Sequence, residues 1–180
     1  MTLSVREMHL DDIEKVVDYF IDANDTFLKG MGADKSKLPK RDEWIQKITL
    51  EYKKSCPEKE FYYMIWLLDN QPIGHSNVNH IRYGKDATMH LHLWKPIERK
   101  KGLGVKFLKL TIPYFFKNLQ LKKLICEPYA ENIAPNKTLK KLGFELVKTY
   151  ETIPGWINFY QKVNRYELTH KQLEDSSFNL

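Results

Sequence analysis

Residues 61–119 constrain the fold more than any other part of this sequence. Three β-rich runs, FYYMIWLL, IGHSNVNHI and ATMHLHLW, follow one another at hairpin spacing with turn-forming residues between them. This pattern predicts an antiparallel meander. The period then changes to that of a helix in KGLGVKFLKLTIPYFFKNL, where Pro113 is expected to introduce a kink. A meander followed directly by such a helix predicts a sheet with helices packed against it.

Shorter patterns complete the predicted order of elements. A strand (SVREM), a helix (DDIEKVVDYFIDA), a loop over 24–40 and a second helix (RDEWIQKITLEYKK) precede the meander. A buried strand (LKKLICEPY), a short helix (NIAPNKTLKKL) and a closing hairpin follow it. The order predicts a mixed α/β (α+β) fold, with a mostly antiparallel sheet of about six or seven strands flanked by about four helices. We expect one domain over 1–165 and a polar C-terminal tail over 166–180.

The composition is that of a globular chain. Of its 180 residues 42% are hydrophobic, including four Trp, ten Tyr and nine Phe, which supplies enough apolar surface for a core. No apolar run approaches the ~20 residues of a membrane helix, and no signal peptide is recognisable. We therefore expect a cytoplasmic protein with no membrane partner. Two cysteines, Cys56 and Cys126, are too few for a disulfide framework or a four-ligand zinc site, so no metal is expected.

The charge balance favours anionic partners. There are 29 Lys and Arg residues against 23 Asp and Glu residues, a formal net charge of +6. An excess of this size is compatible with a nucleotide, a phosphorylated cofactor, a nucleic acid or an acidic surface. The lysines are spread over several predicted elements and no nucleic-acid-binding motif is present, so a nucleic acid partner is not favoured.

The junction between the third β-run and the long helix has the features of a phosphate site. The predicted strand ends at Trp94. Three basic residues follow, Arg99, Lys100 and Lys101, and then the run Gly102, Leu103 and Gly104. Glycines at such a junction let main-chain amides approach a phosphate, and the helix N-terminus adds about half a positive charge. The dinucleotide fingerprint would need a third glycine at Phe107, and no G-x-x-x-x-G-K-[ST] loop is present.

Two motifs, one following the other along the chain, resemble those of the GNAT superfamily of acyl-CoA-dependent N-acetyltransferases. The first is R-x-x-G-x-G at Arg99, Gly102 and Gly104, and the second is ENIAPNKTLKKLGF over 131–144. The order of elements extends the resemblance over residues 3–163. Leu139 stands where many relatives carry a tyrosine, so the branch that acetylates protein N-termini and small amines is the most similar.

The resemblance implies acetyl-CoA as the co-substrate and a sheet that splays in the middle. In this family the pantetheine arm pairs with the strand before the loop, here ATMHLHLW, through main-chain groups near His92 and Trp94. The pyrophosphate would lie on the amides of KKGLG, and Asn132 would bind the pantetheine region. Lys137, with Lys140 or Lys141, would meet the ribose phosphate, although lysines on a short helix are also commonly solvated surface residues.

The reaction implied is direct attack of a primary amine on the thioester in a ternary complex. Strand alternation puts His90 and His92 on the face opposite Met89 and Leu91, where the family binds the acceptor. Either imidazole could act as base or hold a water, or could instead bond to loops. Glu127 could bind or deprotonate the ammonium, or be an exposed charge at a strand end. With no tyrosine at Leu139, Tyr129 or water would protonate the thiolate.

Several residues have simpler interpretations. Cys126 is interpreted as a small core residue, and His75 and His80 as structural histidines. The sequence thus predicts an acetyl-CoA-dependent N-acetyltransferase acting on a small-molecule amine or a peptide N-terminus, with a homodimer left open. The alternatives are a domain that binds CoA without turnover and a basic nucleic-acid-binding module.

Overall fold

The structure is a computed structural model that describes residues 1–94 and 102–175. Its seven strands are β1 Leu3–Glu7, β2 Tyr62–Leu68, β3 Gln71–Arg82, β4 Asp86–Leu93, β5 Lys123–Cys126, β6 Glu145–Thr152 and β7 Gln161–Thr169. Its six α-helices are α1 Ile13–Ile21, α2 Asp25–Gly30, α3 Arg41–Tyr52, α4 Leu103–Leu119, α5 Ile133–Lys141 and α6 His170–Asp175. The order along the chain follows the predicted order, with α2 and α6 added.

The strands form one sheet in the order β1-β2-β3-β4-β5-β7-β6. In the two described ranges every neighbouring pair is antiparallel except β4 and β5, which are parallel. The first four strands are therefore the predicted meander with β1 added at its edge. The predicted fold class, a mixed and mostly antiparallel sheet flanked by helices, is confirmed.

The parallel pair β4 and β5 separates after a short run. Asp86, Ala87 and Thr88 pair with 123–125, and the register goes no further. Beyond that point β4 continues to Leu93 in register with β3, whereas Cys126 of β5 pairs with Tyr166 of β7. The sheet is thus split between β4 and β5, as the predicted splay requires.

Two apolar layers hold the helices on opposite faces of this sheet. On one face α4 packs against β2 and β4, and the Phe107 ring stacks on the Trp66 ring with centroids 5.0 Å apart. The indole of Trp66 also donates to the Thr111 hydroxyl of α4 at 3.2 Å. On the other face α1 and α3 pack together over Ile65. These contacts fix the start of α4 beside the end of β4.

One helix lies where a loop is expected, and the kink expected at Pro113 stays a prediction. The predicted loop over 24–40 contains α2, which begins because the Asn24 side chain accepts from the Phe27 amide at 2.9 Å. The long helix α4 runs continuously from Leu103 to Leu119 and includes Pro113. Proline there removes one backbone donor, but Ile112 and Phe116 on either side are buried in the core. Burial of this face stabilises the helix across that position.

β7 extends past the domain boundary expected at residue 165. Tyr166 and Leu168 are buried and pair with Cys126 and Leu124 of β5. The first residues of the predicted polar tail therefore belong to the sheet, and α6 follows directly after Thr169. Polar residues alternate with the buried ones here, which made the segment resemble a tail in the sequence.

No helix in the described ranges is long and apolar enough to cross a membrane.

Candidate active site

A cavity of about 580 Å³ opens where β4, α4 and α5 come together. Leu91 and Leu93 of β4 line one side of it, and Gly102, Leu103, Gly104 and Val105 at the start of α4 line another. The volume is within the ~300–1,000 Å³ typical of small-molecule sites. Because Leu91 and Leu93 follow the last residue of β4 paired with β5, the cavity lies at the split in the sheet.

The start of α4 gives the cavity a positive end. Gly102 precedes the helix with a φ of 72°, in the left-handed region that glycine adopts without strain. The Lys106 amide donates to the Gly102 carbonyl, which is the first hydrogen bond of the helix. The amides of 103–105 therefore have no acceptor within the helix. A Cβ at Gly104 would lie 3.8 Å from the Thr138 hydroxyl, an ordinary contact. Packing thus does not require glycine at 104, but an added side chain would lie at the N-terminus of α4, which lines the cavity.

Three of the predicted phosphate ligands fall outside the described residues. Arg99, Lys100 and Lys101 precede Gly102 in the undescribed range 95–101, and their contribution stays a prediction. Gly102 and Gly104 of the motif are described, as is Trp94 before it, and seven residues separate Trp94 from Gly102. The part of the motif that is described lines the cavity.

The main-chain groups of β4 point alternately towards β3 and towards the split. The Trp94 amide donates to the Ile73 carbonyl of β3 at 2.9 Å, so its main chain faces away from the split. The pattern repeats every second residue, so the main-chain groups of His92 also face β3. The Met89 carbonyl faces the split, where it accepts from the Cys126 thiol at 3.1 Å. Leu91 therefore presents its main chain to the split, one residue from His92, and the cofactor contact expected near His92 and Trp94 stays a prediction.

The first turns of α5 form a further wall of the cavity. Asn132 and Lys137 both line it, as expected for cofactor-binding residues. Asn132 is the N-cap residue but its side chain makes no capping hydrogen bond. The turn is held instead by Asn136, whose side-chain amide donates to the carbonyls of Asn132 and Tyr129 at 2.8 and 3.0 Å. The side chain of Asn132 is therefore not needed to hold the turn. Leu139, further along the same helix, is fully buried in the core.

A second, smaller pocket lies on the opposite face of β4. Its volume is about 130 Å³, and the histidines His75, His90 and His92 line it together with aromatic residues of α1, α3 and β2. Strand alternation separates the two spaces, because Leu91 and Leu93 line the larger cavity and His90 and His92 the smaller pocket. Met31 lines both. The structure thus places both predicted histidines in one pocket, beside the cavity at the split.

Hydrogen bonds and ring contacts fix this histidine cluster. His75 and His92 lie opposite one another on β3 and β4, with ring centroids 4.8 Å apart. The Trp94 indole donates to His75 Nδ1 at 2.8 Å, and His90 Nε2 lies 3.1 Å from the Asn79 carboxamide oxygen. The buried Nδ1 of His92 has no partner in the described part of the chain. His75, interpreted from the sequence as structural, is therefore a pocket residue that the pattern of its own strand did not reveal.

Burial keeps these imidazoles neutral. It lowers the pKa of His75 to about 3 and that of His90 to about 4, and it lowers the pKa of His92 well below 6.5. A group with so low a pKa is a weak base near pH 7, but its free nitrogen still accepts a hydrogen bond. The cluster is therefore suited to accepting a hydrogen bond from a water or an amine rather than to becoming protonated itself. Within the described ranges no group of three His, Cys, Asp or Glu side chains is arranged so that it could hold a metal ion.

Glu127 and Tyr129 lie outside both spaces. The Glu127 carboxylate accepts from Arg165 at 2.8 Å and from the Tyr150 hydroxyl at 2.6 Å. The Tyr129 hydroxyl donates to Glu131 at 2.8 Å, and this hydrogen bond raises the pKa of Tyr129. Neither residue lines the cavity or the pocket. The structure therefore does not bring them together with His90 and His92, and their predicted catalytic roles stay predictions.

The split sheet, the glycine before α4 and the cavity between them form the arrangement that the sequence resemblance implies for an acyl-CoA-dependent acetyltransferase. The chain belongs to the acetyltransferase (GNAT) domain family, whose model matches residues 2–145. No curated protein sequence matches it significantly. The predicted class of enzyme, an acetyltransferase with the GNAT fold, is thereby confirmed.

Solved structures agree on the fold. The chain is similar to spermidine N-acetyltransferase from Vibrio cholerae in complex with CoA and spermine, with 16% identity, a TM-score of 0.77, and coverage of 96% of this chain and 98% of that one. It is also similar to aminoglycoside acetyltransferase AAC(6')-Ib in complex with coenzyme A and kanamycin, with 17% identity, a TM-score of 0.74, and coverage of 97% and 99%. At these identities the likeness shows a shared fold across the whole chain.

Proposed function

We propose that this chain moves the acetyl group of acetyl-CoA to a primary amine by direct attack in a ternary complex. The observation that carries the proposal is the pair of adjoining spaces on the two faces of β4 at the split. The larger has the size and the amide-lined positive end that a phosphorylated donor needs. The smaller has neutral imidazoles that can hold an amine or a water. Met31 lines both spaces, so the amine and the thioester can approach each other beside it.

The residues around the larger cavity fit coenzyme A. The amides at the start of α4 would hold the pyrophosphate, and Lys137 would lie near the ribose phosphate. Asn132 and the main chain of Leu91 would bind the pantetheine arm, the latter as an added strand at the split. When bound, acetyl-CoA supplies the thioester carbonyl that the amine attacks. Arg99, Lys100 and Lys101 complete the proposed phosphate site from outside the described residues.

The histidines would manage the proton of the incoming ammonium. A primary amine must lose a proton to attack, and His90 and His92 face the pocket where it would lie. Because both imidazoles are neutral, His92 can accept a hydrogen bond from the amine or from a water that carries the proton to solvent. The reaction then mainly requires that the amine be placed correctly against the thioester carbonyl, since a thioester needs little further activation.

The relatives of known structure support an amine as acceptor. The Vibrio cholerae protein is described with CoA and spermine, and AAC(6')-Ib with coenzyme A and kanamycin. Both acceptors carry primary amines, which fits the proposed direction of transfer. A peptide N-terminus as acceptor, a homodimer, a cytoplasmic location and a single domain over most of the chain stay predictions.

Ligand stabilisation and product release test this proposal together. Acetyl-CoA at about 100 times its Kd should raise the melting temperature by roughly 5–10 °C, because binding to the native state alone adds about 2.7 kcal/mol. Free thiol should then appear only when a primary amine is added. Stabilisation without amine-dependent thiol release would indicate a CoA-binding domain that does not turn over. Absence of stabilisation, with stronger stabilisation by DNA, would contradict the proposal.

A further inference from the structure

The smaller pocket contains no acidic side chain among the described residues that line it. Its polar side chains are the three neutral histidines, the amides of Asn77, Asn79 and Asn158, the phenol of Tyr63 and one ammonium group, that of Lys47. On the two helices that line the pocket, Asp18 of α1 is paired with Arg41 at 2.7 Å and Glu51 of α3 with Lys54 at 2.7 Å. A ligand with several ammonium groups would therefore meet one cation and no anion here.

Lys47 holds its ammonium group between two aromatic rings at the wall of this pocket. Lys47 Nζ lies 5.1 Å from the centroid of the Phe61 ring and 5.6 Å from that of Trp156. Such contacts position a cation and stabilise it modestly. No carboxylate of the described ranges lies within ion-pair distance of Lys47. The ammonium is therefore placed to pair with an anionic group of a ligand.

The size of the pocket limits what else the ligand contains. Its volume of about 130 Å³ is close to the ~150 Å³ of a cavity that accommodates benzene. One wall of the pocket is apolar, with Phe20, Trp44, Ile48 and Trp156 contributing. A body of this size and polarity corresponds to one apolar side chain. A polyamine or an aminoglycoside is larger and polar along its whole length.

The geometry points to an amino carboxylic acid, such as a free apolar amino acid, as the acceptor of this enzyme. Its amine would lie toward His92 on β4, its side chain in the aromatic pocket and its carboxylate on Lys47. This inference rests on the proposed function, because the pocket is an acceptor site only if the donor occupies the cavity at the split. It separates this chain from the neighbours described with spermine and kanamycin.

Matched pairs of acceptors test the role of the carboxylate directly. L-phenylalanine is compared with phenethylamine, and L-leucine with isoamylamine, so that each pair shares the amine and the apolar body. A charge-assisted contact makes the amino acid the better acceptor by roughly 10- to 100-fold in kcat/KM. Spermidine and kanamycin, assayed at the same concentrations, are expected to be poorer than either amino acid. A preference for the decarboxylated amines or for the polycations overturns the inference.

Variants of Lys47 assign the preference to one side chain. Lys47→Met keeps the aliphatic stem and removes the charge, so it should raise KM for the amino acid about 10-fold or more and raise KM for phenethylamine by a much smaller factor. Lys47→Arg should restore most of the preference. Lys53→Met, at the end of the same helix and outside the pocket, removes the same charge and is the control. An equal loss with amino acid and amine, or an equal effect of Lys53→Met, overturns the assignment.

Stabilisation by acetyl-CoA separates this inference from the proposed function. If acetyl-CoA does not raise the melting temperature, the donor site itself is wrong. If it does, but calorimetry in the presence of CoA detects no binding of phenylalanine or leucine and neither is acetylated, only the acceptor assignment is wrong. Binding and turnover of the amino acids with loss in Lys47→Met support both.

Discussion

The Cys126 thiol donates a hydrogen bond to the Met89 carbonyl at 3.1 Å, at the point where β5 and β4 part. This contact closes the apex of the split, since Thr88 is the last β4 residue that pairs with β5. Cys126 is buried in the core, and burial raises its pKa to about 12. The thiol is therefore protonated and serves as a core residue and a donor, in agreement with its interpretation from the sequence.

Thiol labelling checks this role of Cys126. In the native protein Cys56, which is half-buried, should react with an aromatic disulfide reagent, whereas Cys126 should react only on unfolding. Cys126→Ala removes a buried donor and packing atoms, so we expect the free energy of unfolding to fall by about 1–3 kcal/mol. Cys56→Ala is the control. Rapid labelling of both thiols in the native protein would contradict the description of this apex.

The buried histidines predict a loss of stability at acidic pH. An unfolded histidine takes up a proton near pH 6.5, whereas folded His90 does so only near pH 4 and His75 near pH 3. Between these values the unfolded state binds more protons, so the free energy of unfolding falls as the pH drops below about 6.5. Urea denaturation from pH 8 to pH 4.5 measures this slope.

Replacing one imidazole should reduce that slope. His90→Gln keeps a donor near Asn79 and removes the titrating group, so the loss of stability between pH 6.5 and pH 4.5 should be smaller than in the parent. His170→Gln, on the exposed helix α6, is the control for loss of an imidazole. A slope in His90→Gln that is as steep as in the parent would contradict the burial of His90.

His92 is expected to affect turnover more than donor binding. Its ring faces the smaller pocket and its Nδ1 lacks a partner among the described residues, so His92→Ala should lower kcat by about 10²-fold and leave the Kd for acetyl-CoA within a factor of about three. The pKa of His92 lies well below 6.5, so its titration should produce no limb in the rate profile between pH 6 and pH 9. His80→Asn, outside both spaces, is the control. A kcat unchanged in His92→Ala would exclude this role.

The ion pair between Glu127 and Arg165 separates a structural role from a catalytic one. Arg165 also donates to Glu167 at 2.8 Å, and the side chain of Glu127 is only 12% exposed. Arg165→Met leaves that carboxylate without a cation and bonded only to the Tyr150 hydroxyl, which should cost about 1–3 kcal/mol of unfolding free energy after allowance for its partial exposure. Adding Glu127→Gln should recover part of this loss. If Glu127→Gln alone abolishes turnover without lowering the melting temperature, Glu127 has a catalytic role instead.

The sequence was most informative where one periodicity dominated. The meander, α4 and the strand β5 follow directly from hydrophobic spacing, and Gly102 and Asn132, predicted to bind the cofactor, line one cavity. The side to which the main chain of Leu91 points could not be predicted, because it depends on the register with β3. The ion pair of Glu127 could not be predicted, since Arg165 lies 38 residues further along the chain. Contacts between distant segments carry no local signal.

The affinity of the Gly104→Glu variant for acetyl-CoA is the sharpest test of the proposed donor site. A diphosphate on the amides at the start of α4 would meet both added bulk and negative charge from this carboxylate. Val147→Glu, on the exposed edge strand β6, adds the same charge away from both spaces and is the control. Calorimetric titration should show a Kd raised by about 10²-fold or more in Gly104→Glu and unchanged in Val147→Glu. An unchanged Kd in a folded Gly104→Glu protein would contradict the assignment of the donor site.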